Sequence, residues 1–581
     1  MKKNHTLLLI ILVVAGILGA CSGDFLDIKP KGSLDQGVLA NEKGIEFLLI
    51  GAYSLLDGVS SQFGWEAASS NWVYGDIRGM VGNKGTDAGD QPDINPLQSF
   101  SETATNPYLN VKWRSVYEAV SRCNSVITVT NQALADGTIT QAQADSYIKQ
   151  ARALRGWYHF EAFRMWEKVP YVDETTDQST LSNTEEIGDK ILADLQEGTT
   201  LPNNMGQVGR FNGTVCKVLL AKAKMQIDRD YAGALTLLND AKTGTKPNGA
   251  ALGLAPTYGE VFDIVNRNAI EAVYTVQYSV NDGSGGWNAG WGEVLNFPYK
   301  SGGSPGGCCG FFQATQEFVN SFRTSGGLPL LDNSYNNSPV VSDQGLKSSD
   351  PFVEDTGPLD PRVDWSVGRR GIPYWDWGIH TGQDWIRDQT YAGPYSPKKQ
   401  VYKKSQEGQY TEVGNWTSGW TANGYRLIRF ADIILLIAEC QIEGNDLAGA
   451  RTNINLIRAR AANAAGWVKE ADGVTNAANY VISEYPASGY PFDTQANARI
   501  ALRMERKLEL GMEGHRWFDL NRWGITVAEL TRVLAYEKTT PWGAKGAMYT
   551  SGTATVGPED VTFPIPQRQI DLMRGRLVQN R

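Results

Sequence analysis

The sequence predicts a mainly α-helical protein, built from tetratricopeptide-like helix pairs and split by one long, irregular, loop-rich insertion. Three observations predict it. Apolar residues recur at helical spacing in two blocks of the chain, 111–241 and 425–512. A short self-match joins the blocks: Ala223-Lys-Met-Gln226-Ile227-Asp228, followed by Ala232-Gly233-Ala234, returns as Ala438-Glu-Cys-Gln441-Ile442-Glu443, followed by Ala448-Gly449-Ala450. Between the blocks, residues 244–424 lose the rhythm and hold 27 of the 62 Gly and 8 of the 17 Trp. Loops of that length are functional or disordered. A tryptophan-rich one is ordered, because each indole has about 200 Å² that prefers burial.

The chain opens on an address. Met1-Lys2-Lys3 is a short basic region, and Leu7 to Leu18 carries no polar side chain. Twelve helical residues span about 18 Å, too short for a bilayer core of about 30 Å, so residues 1–20 read as a bacterial export signal. Leu18-Gly19-Ala20-Cys21 resembles the lipobox of bacterial lipoproteins. That resemblance implies lipidation at Cys21 and a mature protein anchored to a membrane rather than spanning one. The alternative is a secreted protein in which Cys21 is incidental.

Residues 21–243 form the first half of the scaffold. Helices are expected over Val111–Leu134 and Gln141–Trp166, the latter stopped by Pro170, then over Thr184–Gln196, Asn212–Ile227 and Tyr231–Ala241. In the self-match, one helix ends, a polar turn follows, and Ala-Gly-Ala opens the next. Small residues there let paired helices approach closely, as a tetratricopeptide-like repeat requires. Residues 244–424 are the insertion. Residues 425–581 are the second half, with helices expected over Tyr425–Glu443, Asp446–Ala462 and Gln495–Met512.

Cysteines and charges narrow the chemistry. Cys123, Cys216 and Cys440 lie in apolar helical patterns and read as small buried hydrophobes. Cys308-Cys309, in Gly306-Gly307-Cys308-Cys309-Gly310, is either a vicinal disulfide or two free thiols; export favours oxidation. A net charge of −9 with no basic run argues against nucleic acid as a partner. The four His are scattered; the one His-x-Glu, His159-Phe160-Glu161, lies in an apolar helical pattern with no Cys-x-x-Cys anywhere to complete a site, so no metal or cofactor is called for. Asp87, Asp90 and Asp93 read as a solvated acidic loop more readily than as calcium ligands. Gly302-Gly303-Ser304-Pro305-Gly306 matches the Gly-x-Ser-x-Gly spacing, but it lies in a Gly/Pro-rich turn and not between a strand and a helix as a nucleophile elbow requires. A glycosidase needs two carboxylates about 5–10 Å apart, and among 63 acids the existence of such a pair decides nothing.

Five motifs, in order, carry a family resemblance. Phe25-Leu26-Asp27 with Pro30 follows the lipobox. Arg152-Ala-Leu-Arg155-Gly-Trp157-Tyr158-His-Phe160 precedes Val169-Pro170, and Leu359-Asp360-Pro361-Arg362 lies in the insertion. Tyr425-Arg426-Leu-Ile-Arg429-Phe-Ala431-Asp432 runs on to Ala438-Glu439. The longest is Arg503-Met-Glu505-Arg506-Lys-Leu-Glu509-Leu-Gly-Met-Glu513-Gly514-His515-Arg516-Trp517-Phe518-Asp519-Leu520-Asn-Arg522-Trp523. Together they resemble the SusD/RagB family of surface glycan-binding lipoproteins of Bacteroidetes. The resemblance implies a right-handed superhelix of tetratricopeptide-like repeats carrying an irregular binding face. It also implies an oligosaccharide ligand, a SusC-like TonB-dependent outer-membrane transporter that the protein caps as a hinged lid, and no catalysis. The charged Arg503–Arg522 motif reads as structural, with Glu505, Arg506 and Glu509 in exposed ion pairs.

Sugars are recognised by flat aromatic rings against C–H faces and by polar groups that satisfy hydroxyls, since a buried unpaired hydroxyl costs about 1–3 kcal/mol. Three stretches offer both. The first supplies Trp65, Asn71, Trp72, Asp76 and Arg78. The second, Trp287 to Trp291, precedes the Cys308-Cys309 turn, which offers a rigid apolar surface. The third supplies Arg369, Trp375, Trp377, Trp385 and Tyr395. An extended Trp375-Asp376-Trp377 would place both indoles on one face. Contacts are expected from the first and third stretches. The competing expectation is an assembly scaffold whose Trp are all core.

Overall fold

The structure, a computed structural model, describes residues 36–60, 64–177, 179–300, 303–545 and 554–581. The export signal, Cys21 and the Phe25-Leu26-Asp27 motif lie outside the described residues. Helices of seven or more residues are α1 (Glu42–Ser54), α2 (Pro107–Ala135), α3 (Gln141–Trp166), α4 (Gly188–Gly198), α5 (Gly213–Ile227), α6 (Tyr231–Lys242), α7 (Phe430–Glu443), α8 (Leu447–Ala461), α9 (Gln495–Leu510), α10 (Arg516–Arg522) and α11 (Thr526–Glu537). The protein is mainly helical. From α1 to α9 each helix packs on the next, including α6 on α7 across the break at 244–424. No helix among the described residues is long and apolar enough to cross a membrane.

Local chemistry sets the helix starts. Pro107 opens α2 behind an Asn106 cap, and Thr140 with Gln143 closes a capping box on α3. The self-match has a sharper cause than close helix approach. Asp230 caps α6 through the Gly233 amide, and Asp446 caps α8 through the Gly449 amide. A Cβ on Gly233 or Gly449 would sit 2.2 or 2.1 Å from the capping carboxylate, so the glycine belongs to the cap. Ala234 and Ala450, one residue on, are fully buried at the helix packing.

The chain leaves the helical stack after α6 and rejoins it at α7. Ala272–Thr275 pairs antiparallel with Arg426–Arg429 where the insertion departs and returns. Tyr425–Arg429, expected as helix, is therefore extended, and α7 starts at Phe430. Between 244 and 424 no described helix exceeds five residues.

The Arg503–Glu513 motif holds the insertion to the scaffold, and its ion pairs are buried rather than exposed. Arg362 of the insertion reaches Glu505 (2.6 Å) and Glu509 (3.2 Å) on α9. Arg458 bonds Glu505 (3.0 Å), Arg429 bonds Glu509 (3.1 Å) and Glu513 (2.7 Å), and Lys399 bonds Glu513 (2.7 Å). Burial opposes ionisation of Glu509, yet Arg460, Arg429 and Arg362 hold its carboxyl well below the ordinary value. Glu505 and Glu509, four residues apart on one face of α9, and Glu513, just past its C-terminus, present three carboxylates to cations from four separate segments.

Candidate functional site

Three segments remote in sequence meet at one solvent-facing patch. Trp65–Ala67 and Trp291–Glu293 are single 3₁₀ turns packed on each other. The loop before Trp291 is shaped by Asp282, which accepts from the Ser284 amide (2.9 Å) and Asn288 Nδ2 (2.8 Å). Asn281, at φ +55°, ties this loop to the third segment. Its Nδ2 donates to the Gly408 and Thr411 carbonyls (3.0 and 3.1 Å) and its amide donates to the Glu412 carboxylate (2.7 Å). Gly286 adopts φ +87° under the Trp420 ring, where a Cβ would lie 2.1 Å from the indole.

The result is a stepped series of five indoles. Trp65 and Trp291 lie 6.2 Å apart between ring centroids, 28° from parallel. Trp287 stacks on Trp291 at 5.0 Å and 24°. Trp420 packs on Trp291 at 4.1 Å, and Trp416 meets Trp420 edge-on at 6.2 Å and 90°. The outer rings are open to solvent: Trp287 is 50% exposed and Trp416 55%. Stacked and edge-to-face packing fixes the rings without covering their outer faces.

Polar groups frame the platform. Gln91 Oε1 accepts from Trp65 Nε1 (3.3 Å) and Tyr108 Oη (2.8 Å). Gln91 follows a loop closed around a buried ammonium: Lys84 Nζ donates to the carbonyls of Asp87 (2.7 Å), Ala88 (3.3 Å) and Asp90 (2.7 Å). Burial brings the Lys84 amine down to about 8. Asp87 and Asp90 turn outward to Arg387. The acidic loop thus has a cationic side chain of its own at its centre. Behind Trp291, burial lifts the Glu293 carboxyl to about 7, and Glu293 accepts from Tyr278 Oη (3.2 Å).

Cys308 and Cys309 form a vicinal disulfide. Their loop joins the platform's third segment where Thr417 Oγ1 donates to the Gly306 carbonyl (2.6 Å), and Cys308 is half-buried.

Most other expected ligand residues are interior. Trp72 is 1% exposed, donates to the Gly292 carbonyl (2.9 Å) and packs on Phe311 and Phe312, so it supports the platform from below. Asn71 bonds Glu161, and Arg78 is locked between Glu102 and Asp560. Asp76 accepts from the amides of Gly514 and Arg516, with burial raising its carboxyl to about 6. Arg369 is consumed by Asp364, Tyr395 bonds Gln316, and Trp385 is sandwiched with Tyr374 and His380. These seven correct the expectation, because each is buried with an internal partner.

Trp375 and Trp377 are half-buried but do not share an extended face. Tyr374 closes a turn onto the Gly378 carbonyl, Trp375 adopts φ +49°, and the two indoles donate to the Lys398 and Tyr402 carbonyls. The patch instead uses Trp65 with the second stretch, and adds Trp416 and Trp420. The signal for these two lay in Trp416-Thr-Ser-Gly-Trp420, a polar, glycine-bearing run in the insertion.

The fold and the patch define a helical-repeat protein that carries an exposed tryptophan platform on an insertion. The chain belongs to the SusD family, whose family model matches residues 270–581; a second model, "starch-binding associating with outer membrane", matches 24–224. It is 23% identical to a SusD-like protein of Bacteroides ovatus over 47% of this chain and 49% of that one. It is 31% identical to SusD-like protein P25 of Formosa agariphila over 25% of this chain and 22% of that one. The chain thus spans about half or less of the curated relatives it matches. Among solved structures, surface glycan-binding protein A from Bacteroides thetaiotaomicron in complex with laminarihexaose aligns at TM-score 0.63 and 20% identity, covering 93% of this chain and 99% of that chain. A SusD homologue from the same species aligns at TM-score 0.64 and 20% identity, covering 93% and 97%.

Proposed function

We propose that this protein binds oligosaccharides non-covalently at the Trp65–Trp287–Trp291–Trp416–Trp420 platform. In this reading it passes them to a SusC-like TonB-dependent transporter while anchored at the outer-membrane surface by lipid on Cys21. One observation carries the reading: Trp287 and Trp416 keep half their surface in water on rings that are otherwise fixed by packing. Exposed apolar area held rigidly in place is a binding surface in search of a flat apolar partner. The C–H face of a sugar ring is such a partner. The Cys308–Cys309 loop borders the platform through Thr417, and residues 244–424 supply four of its five indoles. The fold likeness to a laminarihexaose-bound glycan-binding protein supports the same reading. In this reading binding is non-covalent and the ligand leaves unchanged, in keeping with SusD-like relatives that are binding proteins. Isothermal titration against plant, microbial and host glycans tests this. Saturable binding with no product after prolonged incubation is expected, and failure of a folded protein to bind any glycan refutes it.

A further inference from the structure

Resting on that platform reading, we infer that the site selects uncharged glycans and turns away sugars bearing carboxylate or sulfate. All three segments that build it lack basic residues: none of 54–77, 277–298 or 405–425 contains Lys, Arg or His. The same segments carry Glu66 beside Trp65, Asp282 in the Trp287 loop, and Glu407 and Glu412 ahead of Trp416, all at least partly in solvent.

Cations that approach from neighbouring elements are already engaged. Arg387 is shared between Asp87 and Asp90. Lys84 is enclosed by three carbonyls. Lys300 pairs with Asp384 at 3.3 Å. Lys112 is buried against the Ala67 carbonyl and Glu161. Arg267 donates to the Ile264 carbonyl and lies over the Tyr410 ring. Lys404, next to the third segment, lies over the Trp377 ring, so among the described residues a uronate laid on Trp287 or Trp416 would meet the carboxylates of these segments with no guanidinium or ammonium belonging to them. It would give up hydration without a counter-charge, which is unfavourable even at a partly solvated surface. A neutral hexose or pentose chain meets no such opposition. Its hydroxyls can donate to Glu66, Asp282 and Glu412, because carboxylates accept and never donate when ionised.

The test is titration of the intact protein with neutral glycans (laminarin, starch, xylan, mannan) and with polygalacturonate, alginate and a sulfated galactan, each at low and high salt. The expected result is binding confined to the neutral set, with acidic chains at least tenfold weaker at low salt. Neutral-glycan affinity should change less than twofold on adding salt, since screening acts only between charges. An acidic glycan that binds as tightly as the best neutral one, while glycan binding itself persists, overturns the inference. Binding by neither set overturns the platform reading and this inference with it. Glu66→Lys should narrow the gap between acidic and neutral ligands, and an unchanged gap counts against local charge as the selector.

Discussion

Replacing Trp287 by Ala separates a binding surface from a core. An indole offers at most about 250 Å², and with Trp287 half exposed about 125 Å² faces the solvent. Covering that area with a sugar ring is worth at most about 3 kcal/mol at 25 cal/mol per Å². Desolvation of sugar hydroxyls takes back part of it, leaving about 1.4–2.8 kcal/mol, or a 10- to 100-fold loss of affinity for Trp287→Ala. Trp416→Ala should behave alike. The cost to folding is small, because Trp287 forfeits chiefly one stacked pair, about 0.5–1.5 kcal/mol. Trp72→Ala is the contrast: it empties a fully buried site and strips a donor from the Gly292 carbonyl, costing about 3–5 kcal/mol. Calorimetric titration and thermal melts on the three variants read both quantities. Unchanged glycan affinity in Trp287→Ala and Trp416→Ala, with the parent binding normally, would refute the platform.

Other consequences are separable. Lys84→Met deprives three carbonyls of their donor and loosens Gln91, so glycan affinity should fall on the order of fivefold. In a Trp65→Ala background the same change should add nothing, and additive losses in the double-mutant cycle would show that Lys84 does not act through Trp65. Glu509→Ala leaves Arg362, Arg429 and Arg460 short of a buried partner and should destabilise the protein by about 3–5 kcal/mol in chemical denaturation. Glu293, raised by burial to about 7 against an ordinary 4.5, is held in its protonated form by the fold. Its contribution is complete below the unfolded value and is lost as pH rises through 7, so Glu293→Gln should flatten the decline in melting temperature between about pH 5 and 8. An equally steep decline in the variant refutes the assignment. Finally, with Cys21 lipidated, denatured protein should titrate three thiols without reductant and five with it, as Cys123, Cys216 and Cys440 are free while Cys308 and Cys309 are joined.

The helical scaffold was legible because its determinants are local. Apolar spacing placed α3 at its observed bounds, and the Asp-x-x-Gly cap left a visible repeat at residues 230–233 and 446–449. The strand at Arg426–Arg429 was hidden because it exists only through pairing with Ala272–Thr275, which no nearby residue announces. The platform was legible in kind but not in membership. Composition marked Trp65 and Trp287–Trp291, yet an aromatic beside polar residues describes Trp72 in the core as well as Trp287 in water. The difference between them is which segment lies on top, and that is decided by contacts more than 200 residues apart. Asn71, Asp76, Arg78 and Arg369 misled for the same reason: buried ion pairs and surface ligand groups draw on one residue alphabet.

The three carboxylates of Glu505, Glu509 and Glu513 have a bearing on how the protein meets its ligand. They fasten Arg362 of the insertion, Lys399 close to its end, and Arg429 at its return, to α9 and the turn that follows it, through contacts that are costly to break singly. Loops otherwise free to sample many arrangements are thus held in a single one before any sugar arrives. The ordering entropy of the recognition surface is spent during folding rather than at each capture. A shallow, open face can then hold a ligand through a few ring contacts and still release it readily, because affinity need not compensate for reorganisation.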